Sequence, residues 1–249
     1  MKTTKQFDKS YFYHRNFAHR GLHDIEAGIP ENSIPAFKAA AEAGYGIELD
    51  VQLSKDGQVV VFHDDTVDRM CEAKGRVDSF DYAELKEMKL LNTNETIPLF
   101  TEVLDVVKEG TGPLIVELKN GPNNGELCEK TLAILKEYTG VYCIESFNPL
   151  IVNWFKKNAP YIFRGQLATK KENYKGYANS LASILANCTL CAINKPDFIA
   201  YENIKRPRKV LAYRRKGVML MAWTSKEPDV DQAQNDAVIF EGYRPPLTY

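Results

Sequence analysis

The sequence predicts an α/β fold, a TIM (β/α)8 barrel with a rim hairpin and a small insertion after the second barrel strand, on three observations. Short apolar, β-branched runs end repeatedly in a polar residue, and helical patterns separate them. At 249 residues the chain has a length at which such barrels form one domain around one core, so 1–249 is expected to be a single domain. No internal repeat, low-complexity tract or interdomain linker interrupts it.

Nine runs qualify as strands: 16–19, 46–51, 58–63, 114–119, 141–146, 162–167, 197–200, 218–223 and 237–240. A closed barrel needs eight. The surplus is local, because Asp56-Gly57 between two alternating runs signals a two-residue turn and makes 51–63 a hairpin. If Lys55 pairs with Gln58, Asp50 faces His63, and Glu48 and Gln52 lie on the same side of the sheet.

Ser33-Ile34-Pro35 opens the first helix, with serine or the preceding Asn32 as cap and proline in the first turn, and Gly44 closes it. Segment 64–100 is polar and turn-rich, with a helical pattern at Glu84 to Leu91, and reads as the insertion over the barrel mouth. Further helices are predicted at 101–109, 149–158, 174–187, 202–216 and 226–235.

Composition narrows the function by exclusion. A formal net charge of −1 gives no general attraction to nucleic acid. No run approaches the roughly 18 to 20 apolar residues of a membrane helix, so no stable membrane insertion is expected. The first eight residues lack the apolar stretch of a secretory signal, and five cysteines without a regular framework fit a reducing compartment, so the expected location is cytoplasmic. Cys188-Thr189-Leu190-Cys191 lacks the two further ligands that zinc would want. The basic cluster at 205–209 with Arg214-Arg215-Lys216 could meet an anionic membrane or a polyanion, but a solvated helix face is the preferred reading.

In a barrel, the C-terminal ends of the strands gather the active site. His19-Arg20, Glu48 with Asp50, Glu117 with Lys119, Glu145-Ser146 and Trp223 all fall at such ends. Two carboxylates about 5 Å apart repel by roughly 3 kcal/mol at an effective dielectric of about 20. A divalent cation among Glu48, Asp50 and Glu117 would remove that cost, and all-carboxylate ligands select Mg²⁺ or Ca²⁺. The alternative is that these acids pair with Arg20 or Lys119 as structural ion pairs. With the ion in place, Arg20 and Lys119 would hold an anion of several oxygens, most commonly phosphate. His19 and His63 supply a base for the attacking hydroxyl or water and an acid for the departing alkoxide, which is what phosphodiester cleavage requires. Trp223 either stacks on the substrate or closes its strand as a core residue.

The motifs His19-Arg20-Gly21, Pro30-Glu31-Asn32-Ser33, Glu48-Leu49-Asp50-Val51 and Asp56-Gly57 through His63-Asp64 closely resemble the signature of the glycerophosphodiester phosphodiesterase family. Glu117-Leu118-Lys119, Ser146-Phe147 and Trp223-Thr224 continue the likeness. The resemblance implies a TIM-barrel hydrolase of lipid and glycerol metabolism that uses Mg²⁺ or Ca²⁺ to cleave a small-molecule glycerophosphodiester into glycerol 3-phosphate and an alcohol. By motif position, His19 and His63 would be acid and base, Glu48, Asp50 and Glu117 would hold metal, and Arg20 and Lys119 would hold phosphate oxygens. The chain departs from the pattern at Trp223-Thr224-Ser225-Lys226 and at Phe240-Glu241-Gly242-Tyr243, which leaves lysophospholipids or sugar phosphodiesters as alternative substrates. A non-catalytic phosphodiester-binding barrel is the reading from another class; it would be expected to have lost a histidine or a carboxylate that this chain retains.

Overall fold

The structure, a computed structural model, describes residues 8–110, 112–228 and 234–249. It divides into two compact units, Phe17–Tyr142 and a second formed by Met1–Asn16 with Cys143–Tyr249. The fold class is the α/β TIM (β/α)8 barrel: of eight parallel strands, the first six are each followed by a helical segment along the chain, and one further strand belongs to the hairpin.

In the first unit, β1 (Arg15–His19), from Phe17 onward, and β4 (Leu114–Leu118) each pair in parallel with β2 (Gly46–Leu53). Every residue of β4 is buried, the pattern of a parallel strand covered on both faces. The helix α1 (Ile34–Glu42) is capped by Ser33, whose hydroxyl accepts from the Ala36 N–H at 3.4 Å, and buries Ala36, Phe37 and Ala40. The helix after the insertion, α3 (Phe100–Val107), buries Phe100, Val103, Leu104 and Val107 at i, i+3, i+4 and i+7.

The hairpin forms one residue out of the expected register. Val59–Val61, strand β3, pairs antiparallel with β2 as Val51 with Val61, Gln52 with Val60 and Leu53 with Val59. Asp50 therefore lies opposite Phe62, whose N–H donates to its carbonyl at 3.0 Å, and not opposite His63. The turn holds three residues, because the Ser54 side chain bonds both Asp56 and the Gln58 N–H, while Gly57 takes the left-handed position at φ +75°.

The insertion carries its own small core of Val67, Met70, Cys71, Val77, Leu85 and Leu90, packed on Val60 and Phe62. Its predicted helix shrinks to α2 (Tyr82–Leu85), started by a reciprocal Asp81 and Glu84 cap. The helix α4 (Asn124–Glu137) has no counterpart in the sequence expectation, because Asn123-Asn124-Gly125 reads as a turn. Leu127, Cys128, Leu132 and Leu135 nevertheless give it a buried stripe.

In the second unit, β5 (Tyr142–Ser146), β6 (Arg164–Ala168), β7 (Phe198–Glu202), β8 (Met219–Ser225) and β9 (Ala237–Phe240) are the strands; from Cys143 onward, β5 to β9 pair consecutively in parallel. The helix α5 (Pro149–Asn158) matches its expected bounds, with Asn148 as cap and proline in the first turn. The expected helices at 174–187 and 202–216 are shorter, as α6 (Asn179–Ala186) and α8 (Arg208–Arg214), and a single turn, α7 (Cys191–Asn194), lies between them. Pro207 sits immediately before α8, consistent with its tolerance at helix starts. Of the helix expected at 226–235, residues 229–233 lie outside the described residues, and the flanking ones are not helical. Cys188 and Cys191 are free, buried and packed in this unit's core, where their mutual hydrogen bond and burial push the Cys188 thiol well above its ordinary range. That is the signature of an unreactive structural thiol.

Candidate active site

The chain leaves β1 through two successive left-handed residues, Arg20 at φ +56° and Gly21 at φ +82°. A Cβ on Gly21 would come within 2.7 Å of the Ala36 backbone, so only glycine lets α1 close on this corner. The corner aims the Arg20 N–H at Glu48 Oε2, 3.1 Å away, and sets His19 Nε2 4.0 Å from the same oxygen.

Strand alternation puts Glu48 and Asp50 on one side of β2, and the parallel register sets Asp50 beside Glu117 of β4. All three are buried, with carboxylate oxygens within 4.8 Å of one another. Lys119 Nζ lies 2.9 Å from Glu117 Oε1 and 3.3 Å from Asp50 Oδ1. Arg20 Nη1 donates to Glu31 Oε1 at 2.6 Å, and its Nε lies 3.5 Å from Asp50 Oδ2. The ion pairs considered as an alternative for these acids are thus present, in the same cluster that would take a cation.

The charges are unevenly balanced. Burial pushes the Asp50 carboxyl up, but Lys119, His63 and Arg20 together hold it far below the carboxylate range. For Glu117 burial wins, helped by Asp50, and its pKa rises in spite of Lys119 and His63. Burial would lower Lys119, yet Glu117 and Asp50 keep it above an ordinary lysine. A carboxylate that is costly to ionise beside two others is the charge state that a hard divalent cation completes.

Asn32 strengthens that fit. It does not cap α1; its Nδ2 donates to Asp50 Oδ2 at 2.9 Å, and its Oδ1 is buried with no hydrogen-bond partner among the described residues. A spare buried oxygen next to three carboxylates makes an all-oxygen donor set, the chemistry of Mg²⁺ and Ca²⁺ sites.

On the other side, His63 Nδ1 lies 2.6 Å from Asp64 Oδ1. Gln52 Nε2 donates to the carbonyls of Phe62 and Asp64, at 2.8 and 2.9 Å, and so fixes the segment that carries the imidazole. Arg69 bridges outward, with Nε 2.6 Å from Asp64 Oδ2 and Nη2 2.7 Å from Glu31 Oε1. Glu31 therefore joins Arg20 to Arg69, and their guanidinium groups outweigh burial to lower its pKa.

His19, Arg20, Glu48, Asp50, His63, Glu117 and Lys119 all lie in the unit Phe17–Tyr142. Trp223 belongs to the other unit, in the C-terminal half of β8. Its indole N–H donates to the carbonyls of Ala200 and Ala168, at 3.1 and 3.3 Å, and its ring meets Phe147 edge-on at 5.4 Å. Arg69 was not singled out from the sequence; Glu31 and Asp64 were only motif letters there, and Gln52 was placed only on the side of the sheet shared with Glu48. Adjacency to His63 was the available signal for Asp64; Arg69 had none.

The model of the glycerophosphoryl diester phosphodiesterase family matches residues 19–240. A glycerophosphodiester phosphodiesterase of Caldanaerobacter subterraneus subsp. tengcongensis is 38% identical over 163 residues, covering 60% of this chain and 65% of that protein. One of Bacillus altitudinis is 42% identical over 112 residues, covering 42% of this chain and 44% of its own length. The aligned stretches thus span less than two thirds of each of these relatives. Among solved structures, an Oleispira antarctica phosphodiesterase in complex with the product sn-glycerol-3-phosphate aligns with a TM-score of 0.77 at 23% identity, over 93% of this chain and 94% of that one. At that identity the likeness is one of fold.

Proposed function

The chain belongs to the glycerophosphoryl diester phosphodiesterase family, and we propose that it is a phosphoric diester hydrolase that uses a divalent cation, Mg²⁺ or Ca²⁺, to convert glycerophosphodiesters to glycerol 3-phosphate and an alcohol. The observation that carries the reading is the buried set Glu48, Asp50 and Glu117, with oxygens within 4.8 Å of one another, in one unit with His19 and His63.

Glu48, Asp50 and Glu117 would hold the cation, with Asn32 Oδ1 as a further oxygen donor. When bound, such an ion withdraws electron density from the phosphoryl oxygens and offsets the charge that develops there. Lys119 and Arg20 would hold the phosphate oxygens. His63 is oriented by Asp64: an N–H at Nδ1 donated to that carboxylate leaves the Nε2 lone pair to take a proton from the attacking water. His19, beside Glu48 Oε2, is placed to carry a proton at Nε2 and deliver it to the departing alkoxide. Water oxygen bonds to phosphorus, the bond from phosphorus to the alcohol oxygen breaks, and one proton is taken and one given. A cytoplasmic location is proposed on the five free cysteines; no described helix is long and apolar enough to cross a membrane.

The test is phosphorus NMR of the purified protein with glycerophosphocholine and glycerophosphoglycerol, with Mg²⁺, Ca²⁺ or chelator. Glycerol 3-phosphate should form in the presence of the ion and stop with chelator, and a cyclic phosphate would point to attack by the substrate's own hydroxyl. Full turnover of both His19→Ala and His63→Ala variants would end the assignment.

A further inference from the structure

Charge is distributed very unevenly along this nearly neutral chain. Residues 146–226 hold fifteen of its 32 Lys and Arg but only three of its 33 Asp and Glu, a net of +12 against −13 for the remainder. The proposed reaction uses none of that excess, since Arg20 and Lys119 lie outside the segment. All of 146–226 belongs to one compact unit, so these cations are carried by a single body. Two of its three acids are engaged: Asp197 faces Arg164 at 3.5 Å, and Glu202 accepts from Thr169 and Asn173.

Five of the fifteen cations lie on α5 and α8, and hydrogen bonds link these two helices to α7 and to the turn before it. Lys156 Nζ donates to the Ile193 carbonyl and joins α5 to α7. Lys209 Nζ to Thr189 Oγ1, at 3.0 Å, and Tyr213 OH to the Cys188 carbonyl, at 3.3 Å, join α8 to the turn between α6 and α7. Aliphatic side chains stand out among the charges, with Leu150 on α5 73% exposed and Ile193 on α7 61% exposed. Leu181, Ile184 and Leu211 are exposed too, so aliphatic side chains outnumber the segment's exposed aromatics, Tyr161 and Tyr177, which lie in the loops beside α5 and α6.

We propose that this helical face docks on an anionic lipid bilayer. Exposed Lys157, Arg208 and Arg215 meet the phosphate-bearing headgroups, and Leu150 and Ile193 enter the boundary between headgroups and acyl chains. The mixture selects lipid over other polyanions. Single-stranded nucleic acid is held by cations with aromatic stacking surfaces, whereas isolated aliphatic side chains ringed by long cationic ones suit an interface where the former sink and the latter reach up to phosphate. Sequence alone favours a solvated face for residues 205–216, because the exposed aliphatic residues belong to three other helices besides α8. Attachment is peripheral, and it does not depend on the headgroup that the enzyme cleaves.

Co-sedimentation of the full chain with vesicles tests the proposal. Binding is expected to vesicles containing about one third phosphatidylglycerol, not to pure phosphatidylcholine, and to weaken at least about tenfold at high salt. The triple variant Lys157→Glu, Arg208→Glu, Arg215→Glu should lose it, and Leu150→Ser with Ile193→Ser should weaken it at fixed salt. Both should keep wild-type thermal stability, and turnover of a soluble substrate, if present in the parent, should persist in both. No binding to anionic vesicles, wild-type binding by the charge-reversed variant, indifference to the serine changes, or tighter binding to a single-stranded oligonucleotide would each overturn it. Sedimentation reads docking alone, so failure of the catalytic reading leaves this result standing.

Discussion

The carboxylate of Asp64 lies 2.6 Å from His63 Nδ1, so the second imidazole is held by its own neighbour in sequence. This pairing fixes the ring and makes Asp64 a positioning residue that need not touch substrate. Asp64→Ala should lower kcat by about ten- to a hundredfold with little change in KM, and Asp64→Asn, which keeps one acceptor oxygen, should lose less. Steady-state kinetics of the two variants decide it; a KM-only effect would remove Asp64 from that role.

Arg69 holds Glu31 and Asp64 together, and both carboxyls are lowered: burial raises each, but Arg69 with Arg20 outweighs it at Glu31, and His63 with Arg69 outweighs it at Asp64. A depressed folded-state pKa contributes stability above the unfolded value that is lost as pH falls toward the folded one. The ordinary values are 4.5 and 3.8, so the wild type should lose Tm as pH drops below about 4.5. Arg69→Met should shrink that loss and cost no more than about 1 kcal/mol at pH 7, since Arg69 is half exposed. Thermal melts from pH 7 to 3 check both statements.

Gly21 is the hinge on which the site corner depends. Gly21→Ala must strain φ +82° and meet the Ala36 backbone at 2.7 Å. A destabilisation of about 1–3 kcal/mol is expected, with reduced turnover because Arg20 and His19 are displaced. Denaturant unfolding and activity of the variant should fall together.

The parts of the site that the sequence revealed are those written as strand ends. His19, Glu48, Asp50 and Glu117 each close or sit near the end of an apolar run, and the pleat and parallel register carry them to one place. Asn32 and Asp64 stand in the family's motifs, but their contacts, like Arg69 itself, were hidden because a turn conformation and a short insertion bring them in, neither of which has a period. The hairpin shows the same limit: Asp56-Gly57 marks a turn, but the Ser54 side chain adds a third residue to it and moves Asp50 off His63. For α4, Asn123-Asn124-Gly125 hid the start of a 14-residue helix whose buried stripe includes a threonine, Thr131, among its apolar members.

Lys119 separates a structural cluster from a metal site. Its ammonium is the cation nearest to both Glu117 and Asp50, so Lys119→Met leaves two buried carboxylates without it. In chelator the variant should be less stable by about 3–5 kcal/mol, the cost of breaking a buried pair from one side. If the acids form a cation site, saturating Mg²⁺ or Ca²⁺ should restore more stability to the variant than it adds to the wild type, because the ion then supplies the missing positive charge. Calorimetric titration should find one ion per chain, weakened at least about tenfold by Asp50→Asn or Glu117→Gln. Equal gains in both proteins, or no heat of binding, would leave the three carboxylates as partners of Lys119 and Arg20 alone.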